Sequence, residues 1–274
     1  MKFTNEHEAL RRTTRQFVQN ELNPHIPEWE AAGRFPIHEV FKKMGDLGLL
    51  GICKPEENGG LGLDYSYNLV VAEELGRAAC GGVPLAIGVQ TDMATPALAR
   101  FGSKELREEF LNPAIRGEYV ASIAVSEVHA GSDVAAIKTT AKKEGDDYVI
   151  NGTKMWITNS PIAHLFIIWA RTDEGIRGFL VERGTKGLET PEIEKKFSLR
   201  ASITGEIVMD GVEVSEDQLL PNAQGLSGPF GCLNKARYGI AWGALGAAEF
   251  CFNAARQYTL DRSQFGRPLA ANQL

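Results

Sequence analysis

Cysteine is scarce in this sequence, and its placement excludes most of the chemistry that cysteine supports. The four cysteines, Cys53, Cys80, Cys232 and Cys251, form no CxxC pair, and no histidine lies at metal-ligand spacing from them. Neither a disulfide framework nor a zinc site is therefore expected. We expect four free, buried thiols in a reducing compartment, and no bound metal.

Long apolar runs and an excess of positive charge are also missing. The 274 residues are 43% hydrophobic, but no stretch is long enough to span a bilayer. A net charge of −6 argues against a nucleic-acid-binding surface. The N-terminus, Met1 to Glu8, is polar and acidic, unlike a signal or transit peptide. The resulting expectation is a cytoplasmic protein with neither membrane nor nucleic acid as a partner.

The sequence does contain a clear change of hydrophobic period along the chain. In residues 1–118, apolar residues such as Leu10, Phe17 and Leu22 recur at helical spacing. In residues 119–226, short alternating stretches are separated by turn signals such as Asp210-Gly211. This second pattern predicts an antiparallel β-barrel or sandwich.

The last region, residues 227–274, predicts a helix from about Pro229 that is rich in small residues. Glycine-rich helices of this length need close partners, so we expect the beginning of a helical bundle. Pro268 is expected to begin a further helix. The predicted fold class is α+β with three domains: N-terminal helical (1–118), middle antiparallel β (119–226) and an incomplete C-terminal helical bundle (227–274).

Two polar segments of the β region suit a flat cofactor. The first, Ala124 to Asp133, joins a strand-like run to a turn that offers serine hydroxyls and a glycine. The second, Asn151 to Asn159, contains Trp156-Ile157-Thr158. Either segment alone is an ordinary connection between strands. Two further motifs flank them in the helical regions, Leu61 to Tyr65 and Asp261 to Gly266.

In this order the four motifs resemble those of the acyl-CoA dehydrogenases, over the whole chain. One departure is Val128-His129, where Pro-Gly is common in the family. The resemblance implies the family's three-domain fold, FAD as cofactor, a homo-oligomer (dimer or tetramer) and an electron-transfer flavoprotein as electron acceptor. It also implies oxidation of the α,β carbon–carbon bond of an acyl-CoA, from fatty acid or amino acid breakdown, to the trans-2-enoyl-CoA. The hydride passes to the flavin.

The resemblance also implies roles for individual residues in FAD binding. Ser126 and Thr158 would hydrogen-bond the flavin ring, and Trp156 would pack beside it. Arg262 and Gln273 would contact the FAD of a neighbouring subunit. The full set of implied FAD contacts is Ile123, Ala124, Val125, Ser126, Gly131, Ser132, Trp156, Ile157, Thr158, Arg262 and Gln273.

Substrate contacts are implied at four positions, namely Ser132, Phe230, Asn234 and Arg237. Ser132 would lie where the pantetheine of the acyl-CoA passes the flavin. Arg237 would face the CoA portion as a cation, with a salt bridge on the helix surface as the alternative.

The implied reaction also needs a base that removes the α-proton. In most of the family this base is a glutamate near the C-terminus, which is expected here beyond Leu274. A minority of the family carries it just before the arginine matched by Arg237, where this sequence has Ala236. Glu127 receives no acid–base role, because the match places its backbone near the ligand. We therefore expect a C-terminally truncated chain without its catalytic base.

Substrate preference differs between the two halves of the sequence. Residues 196–202 and 229–242 are most similar to glutaryl-CoA dehydrogenases, which also decarboxylate their product to crotonyl-CoA. In that subfamily an Arg-Ser pair holds the distal carboxylate, and the matching positions here are Pro84 and Leu85. Neither can pair a buried carboxylate, which favours an apolar acyl group. Glutaryl-CoA dehydrogenase, an acyl-CoA oxidase and an inactive fragment that binds flavin and acyl-CoA are the alternatives.

Overall fold

A computed structural model describes residues 2–273 and contains a helical region, a seven-stranded sheet and one long helix, in that order. The helices are α1 (Asn5–Phe17), α2 (Ile26–Ala32), α3 (Ile37–Asp46), α4 (Tyr65–Leu75), α5 (Gly82–Gly88), α6 (Thr95–Phe101), α7 (Lys104–Leu106), α8 (Asn112–Ile115) and α9 (Ser227–Asp261). The strands are β1 (Ala121–Ala124), β2 (Thr140–Glu144), β3 (Asp147–Thr158), β4 (Leu165–Thr172), β5 (Gly175–Glu182), β6 (Leu188–Glu189), β7 (Thr204–Ser215), β8 (Ser263–Gln264) and β9 (Arg267–Pro268). The predicted fold class is confirmed.

Helix starts in the N-terminal region follow from capping side chains. Thr4 precedes α1 and forms a capping box with His7. Asp64 precedes α4, and its carboxylate accepts a 2.7 Å hydrogen bond from the backbone N–H of Ser66. Three π-helical segments, 18–22, 89–94 and 107–111, lie next to α-helices of this region. The segment 89–94 follows α5 and later forms part of the site.

The main sheet is mixed rather than purely antiparallel. Its strand order is β1-β4-β2-β3-β7-β6, with β5 paired to β4. The β2–β3, β3–β7 and β4–β5 pairs are antiparallel, as predicted. However, β1 and β4 are parallel, with Ala121 opposite Leu165. Parallel neighbours need a long connection, and the chain between these two strands supplies it by building β2 and β3.

Strand β4 is buried on both faces and separates two hydrophobic clusters. Phe166, Ile168 and Ala170 belong to the cluster that includes residues of α1 to α5. Leu165, Ile167 and Trp169 belong to the cluster that includes residues of α6 to α8 and Cys232 of α9. The alternation follows from the two-residue period of a strand. Helices therefore pack on both faces of the sheet.

Helix α9 lies against α4 so closely that only glycine fits at the crossing. A Cβ at Gly246 would lie 1.8 Å from the Glu73 carbonyl oxygen, and one at Gly76 would lie 2.0 Å from that of Gly243. The small residues predicted to require a close helical partner therefore have one. The opposite face of α9 is exposed and includes Tyr238, Leu245 and Phe252.

Two details of the sequence interpretation are wrong. Pro268 begins no α-helix; instead β8 and β9 form a two-residue hairpin, followed by a 3₁₀ turn over residues 269–271. All four cysteines are free as expected, but only Cys232 is buried; Cys53 and Cys80 are half-buried, and Cys251 is exposed on α9. Cys251 lies among apolar residues of α9 that are themselves exposed, such as Phe252. Across residues 2–273, every helix is too short or too polar to cross a membrane.

Candidate functional site

The candidate site consists of two adjoining cavities beside α9. The sheet cavity, of about 400 Å³, lies between the ends of β1 and β3, the first turns of α9 and the segment 85–93. The helix cavity, of about 490 Å³, lies between α4, α5 and the middle of α9. Leu85 lines both, so the two volumes are neighbours on α5.

Most of the residues predicted to bind FAD line the sheet cavity. The first polar segment contributes Val125, Ser126, Gly131 and Ser132, and Ile123 of β1 precedes it in the lining. The second contributes Trp156, Ile157 and Thr158. A backbone hydrogen bond of 3.0 Å from Met155 N to Ser126 O holds the two segments side by side.

Trp156 is held in an unusual backbone conformation at the wall of this cavity. Its φ is +64°, and the β3–β7 register shifts between Lys154 and Ile157, which marks an irregularity in the ladder. A bulky residue with positive φ is strained, typically by about 1–2 kcal/mol. Its indole is also 63% exposed. Strain and exposure together are typical of a residue kept for a ligand rather than for the core.

The hydroxyl groups in the sheet cavity are available to a ligand. Within residues 2–273, the side chains of Ser126, Ser132 and Thr158 make no hydrogen bond. The backbone carbonyl of Ser126 accepts from Met155 N, and that of Thr158 accepts from Ser122 Oγ at 2.6 Å. A Cβ at Gly131 would meet nothing within 4 Å. Free hydroxyls beside apolar walls suit a flat ring with a polar edge.

A buried ion pair between Lys154 and Glu127 holds the first polar segment against β3. Lys154 Nζ lies 2.9 Å from Glu127 Oε1 and also donates to Val125 O at 3.0 Å. The Glu127 carboxylate further accepts from the backbone N–H groups of Lys138 (2.6 Å) and Thr139 (3.0 Å). Burial alone raises the pKa of Glu127, but these hydrogen bonds outweigh it and lower the pKa to about 2. Its carboxylate is thus fully engaged within the protein.

Helix α9 brings two of the predicted substrate contacts, Phe230 and Arg237, to the same cavity. Asn234 lies between them on the helix, and its side-chain oxygen accepts a 2.9 Å hydrogen bond from Arg237 Nη1. Arg237 therefore has an amide as its partner within the described chain, not the carboxylate that a salt bridge would need. Its charge is largely uncompensated and faces the cavity mouth.

Three predicted cofactor contacts lie elsewhere. Ala124 is fully buried behind the cavity wall. Arg262 and Gln273 are exposed beyond the far end of α9. Arg262 lies about 25 residues after Arg237, or roughly 37 Å at the rise of an α-helix. Neither residue can reach the sheet cavity of its own chain.

Other lining residues escaped the sequence analysis. Val89 and Met93 form the helical wall of the sheet cavity together with Leu85, which the sequence comparison already places at the distal end of the acyl group. The most unusual is Asp92, which is buried in the wall of the helix cavity. Its signal in the sequence was a single acidic residue within the apolar run from Val83 to Ala94.

The helix cavity itself is apolar and lacks positive charge. Pro84, Leu85 and Gly88 line it from α5, and Ile240 and Gly243 from α9. Within the described part of the chain, no lysine or arginine contributes to its lining. An anionic group in this cavity would therefore find no cationic partner.

Comparison with known families agrees with this arrangement. The N-terminal, middle and C-terminal domain models of acyl-CoA dehydrogenase match residues 4–118, 122–212 and 223–274. The short-chain-specific acyl-CoA dehydrogenase of Clostridium acetobutylicum is 37% identical over 97% of this chain and 71% of its own length.

Solved structures resemble this chain in both sequence and fold. A glutaryl-CoA dehydrogenase from Mycobacterium smegmatis, in complex with FADH2, is 37% identical with a TM-score of 0.95, covering 99% of this chain and 69% of its own. A chain from the structure of the electron transferring flavoprotein of Acidaminococcus fermentans is 32% identical with a TM-score of 0.94, covering 100% of this chain and 73% of its own. The chain therefore belongs to the acyl-CoA dehydrogenase family.

Proposed function

We propose that this protein is an FAD-dependent acyl-CoA dehydrogenase. The observation that carries the proposal is the convergence of free hydroxyls, a strained tryptophan and an uncompensated arginine on one cavity that adjoins an apolar one. FAD, when bound, accepts the β-hydrogen of the acyl group as hydride while a base removes the α-proton. The cavity residues fit its flavin ring in size and in hydrogen-bonding character.

The residues of the sheet cavity have distinct roles in this proposal. Ser126 and Thr158 hydrogen-bond the polar edge of the flavin ring, and Trp156 packs beside the ring and excludes water. Ser132 contacts the pantetheine chain. Arg237, oriented by Asn234, attracts the CoA portion at the cavity mouth.

No carboxylate lines the sheet cavity within residues 2–273. Glu127 points away into its ion pair with Lys154, and position 236 is alanine. We therefore infer that the catalytic base is a glutamate that follows Leu274 in the complete polypeptide.

An uncharged acyl group is the proposed substrate, with the acyl chain entering the helix cavity past Leu85. Pro84 and Leu85 line this cavity where glutaryl-CoA dehydrogenases are expected to hold a carboxylate. Losing one charge-assisted contact in a closed site costs about 2–4 kcal/mol, or roughly tens- to hundreds-fold in kcat/KM. Butyryl-CoA should therefore be oxidised faster than glutaryl-CoA.

The test is anaerobic bleaching of the flavin by each acyl-CoA, using the complete, FAD-loaded protein. Bleaching by butyryl-CoA with a kcat/KM at least tenfold above that for glutaryl-CoA is expected. A colourless protein that takes up no FAD would contradict the function itself. Faster turnover of glutaryl-CoA with release of CO2 would instead establish the glutaryl-CoA dehydrogenase alternative.

We further propose that the enzyme is a homo-oligomer that passes electrons to an electron-transfer flavoprotein. Support for the first comes from Arg262 and Gln273, which lie too far from the sheet cavity of their own chain. The second rests on the similarity to the Acidaminococcus fermentans structure. A cytoplasmic location stays a prediction from the sequence.

A further inference from the structure

Asp92 is a buried acid in the wall of an otherwise apolar cavity, and one of its two oxygens is well satisfied. The residue is 6% exposed. Its Oδ1 accepts hydrogen bonds from Tyr65 Oη at 2.8 Å and from Asn68 Nδ2 at 2.7 Å. These two partners, both on α4, fix the orientation of the carboxyl group.

The second oxygen, Oδ2, has spare capacity. Its neighbour in the described chain is Thr91 Oγ1 at 3.3 Å, which also lies 3.2 Å from the Ile87 carbonyl oxygen. A hydroxyl has a single proton, so it satisfies one of these acceptors at a time. At least one lone pair of Oδ2 is therefore open.

Two glycines leave this oxygen open to the helix cavity. A Cβ at Gly239 would lie 3.2 Å from Asp92 Oδ2, and a Cβ at Gly88 would lie 4.0 Å from it. Asp92, Gly88 and Gly239 all line the cavity. The missing side chains thus uncover Oδ2 on the side where an acyl chain would run.

Oδ2 is an acceptor in either protonation state of Asp92. The Tyr65 hydroxyl lies between two acceptors, Asp92 Oδ1 and the Lys235 carbonyl oxygen, at 2.8 and 2.7 Å. A proton on Oδ1 would complete both contacts. Burial favours this proton because it raises the pKa of Asp92, and it outweighs the opposing effect of the buried Lys54 ammonium. With that proton in place, Oδ2 is a carbonyl oxygen and still accepts.

We propose that Asp92 is a specificity-determining residue that selects acyl-CoA substrates carrying a hydroxyl group on the acyl chain, at C4 or beyond. This inference rests on the proposed function, because it assigns the acyl chain to the helix cavity. A substrate hydroxyl in the helix cavity donates a hydrogen bond to Asp92 Oδ2, which gives both the hydroxyl and the carboxyl oxygen a partner. An unsubstituted chain leaves the buried oxygen unpaired, which disfavours that substrate.

The experiment compares hexanoyl-CoA with 4-, 5- and 6-hydroxyhexanoyl-CoA on the complete, FAD-loaded protein. Both the kcat/KM for anaerobic flavin bleaching and the Kd from calorimetry are measured. At least one hydroxy isomer should exceed hexanoyl-CoA by about tenfold in both, since sites that hydrogen-bond a substrate hydroxyl discriminate strongly.

Two variants remove the acceptor in different ways, and a third serves as a matched control. Asp92→Ala deletes it, whereas Gly239→Ala keeps the carboxyl group but places a methyl group against it, 3.2 Å from Oδ2 and 3.1 Å from Tyr65 Oη. Gly243→Ala adds the same methyl group one turn further along the same cavity, in ordinary contact 3.5 Å from the Ala72 carbonyl oxygen. The hydroxyl preference should vanish in the first two variants and persist in the third.

A wild-type preference for hexanoyl-CoA over all three isomers would overturn the inference, as would a preference that survives Gly239→Ala. The two proposals fail separately. If none of the four acyl-CoAs bleaches the flavin, the proposed function is wrong, while the calorimetric preference still tests Asp92.

Discussion

At the scale of single residues, the hydroxyl group of Thr158 provides a direct test of the proposed flavin site. It ends β3, faces the sheet cavity and has no side-chain partner within residues 2–273. Thr158→Ala should weaken FAD binding by about 3- to 30-fold or shift the flavin reduction potential, since one hydrogen bond to a ligand is lost. Fluorescence titration with FAD measures the first effect and dye-coupled photoreduction the second. Thr185→Ala, on a distant turn, is the control, and equal behaviour of both variants would contradict the assigned contact.

Glu127 and Lys154 support the same site through stability rather than through contact. Glu127→Gln leaves the ammonium of Lys154 buried without its counter-charge, so the free energy of unfolding should fall by about 3–5 kcal/mol at neutral pH. The exposed Glu182→Gln should leave it nearly unchanged. The measurement is urea unfolding monitored by circular dichroism.

The lowered pKa of Glu127 predicts how the free energy of unfolding changes at acidic pH. A carboxyl group with a folded-state pKa of about 2, below its usual 4.5, contributes stability that is complete above about pH 4.5. That contribution declines as the pH falls from 4.5 toward 2. The difference in unfolding free energy between wild type and Glu127→Gln should therefore shrink over this interval. A difference that is constant from pH 7 to pH 2.5 would show that the carboxylate is not stabilised in the folded state.

At the level of elements, the crossing of α4 and α9 positions the helical wall of both cavities. Gly246→Ala forces a methyl group against the Glu73 carbonyl oxygen, 1.8 Å away, so the two backbones must separate. We expect a loss of about 1–3 kcal/mol in unfolding free energy. Gly243→Ala, on the same helix but with 3.5 Å of clearance, should be neutral or stabilising because alanine favours the helix. Equal destabilisation by both variants in thermal unfolding would argue against this packing.

At the scale of the whole molecule, the length of α9 separates two groups of predicted cofactor contacts. Arg262 lies roughly 37 Å from Arg237 along the helix axis, so it can assist FAD binding only in a second subunit. Arg262→Ala should lower the FAD content per subunit of the complete protein, while Arg256→Ala, on the same exposed part of α9, should not. Light scattering combined with the absorbance of bound flavin measures both. A monomer with full FAD occupancy would contradict the shared site.

Much of this protein is determined locally in the sequence. The change of hydrophobic period separates the helical regions from the sheet, because burial repeats every 3.6 residues on a helix and every two on a strand. The segments around Ser126 and Trp156 are recognisable as a pair because their residue types, and their order in the sequence, resemble those of the acyl-CoA dehydrogenases. Their meeting in one cavity follows from two strands that end at the same edge.

Only the tertiary structure decided the contacts between residues that no local pattern links. The parallel pairing of β1 with β4 depends on how the intervening chain returns. The pairing of Glu127 with Lys154 depends on the loop after β1 meeting the second half of β3. Asp92 shows the same limit. The sequence reveals an acid in an apolar run. Its contact with the helix cavity depends on Gly239, which is far away in the sequence and has no side chain to cover it. Such contacts arise from close packing of whole elements, and packing has no period that a sequence can display.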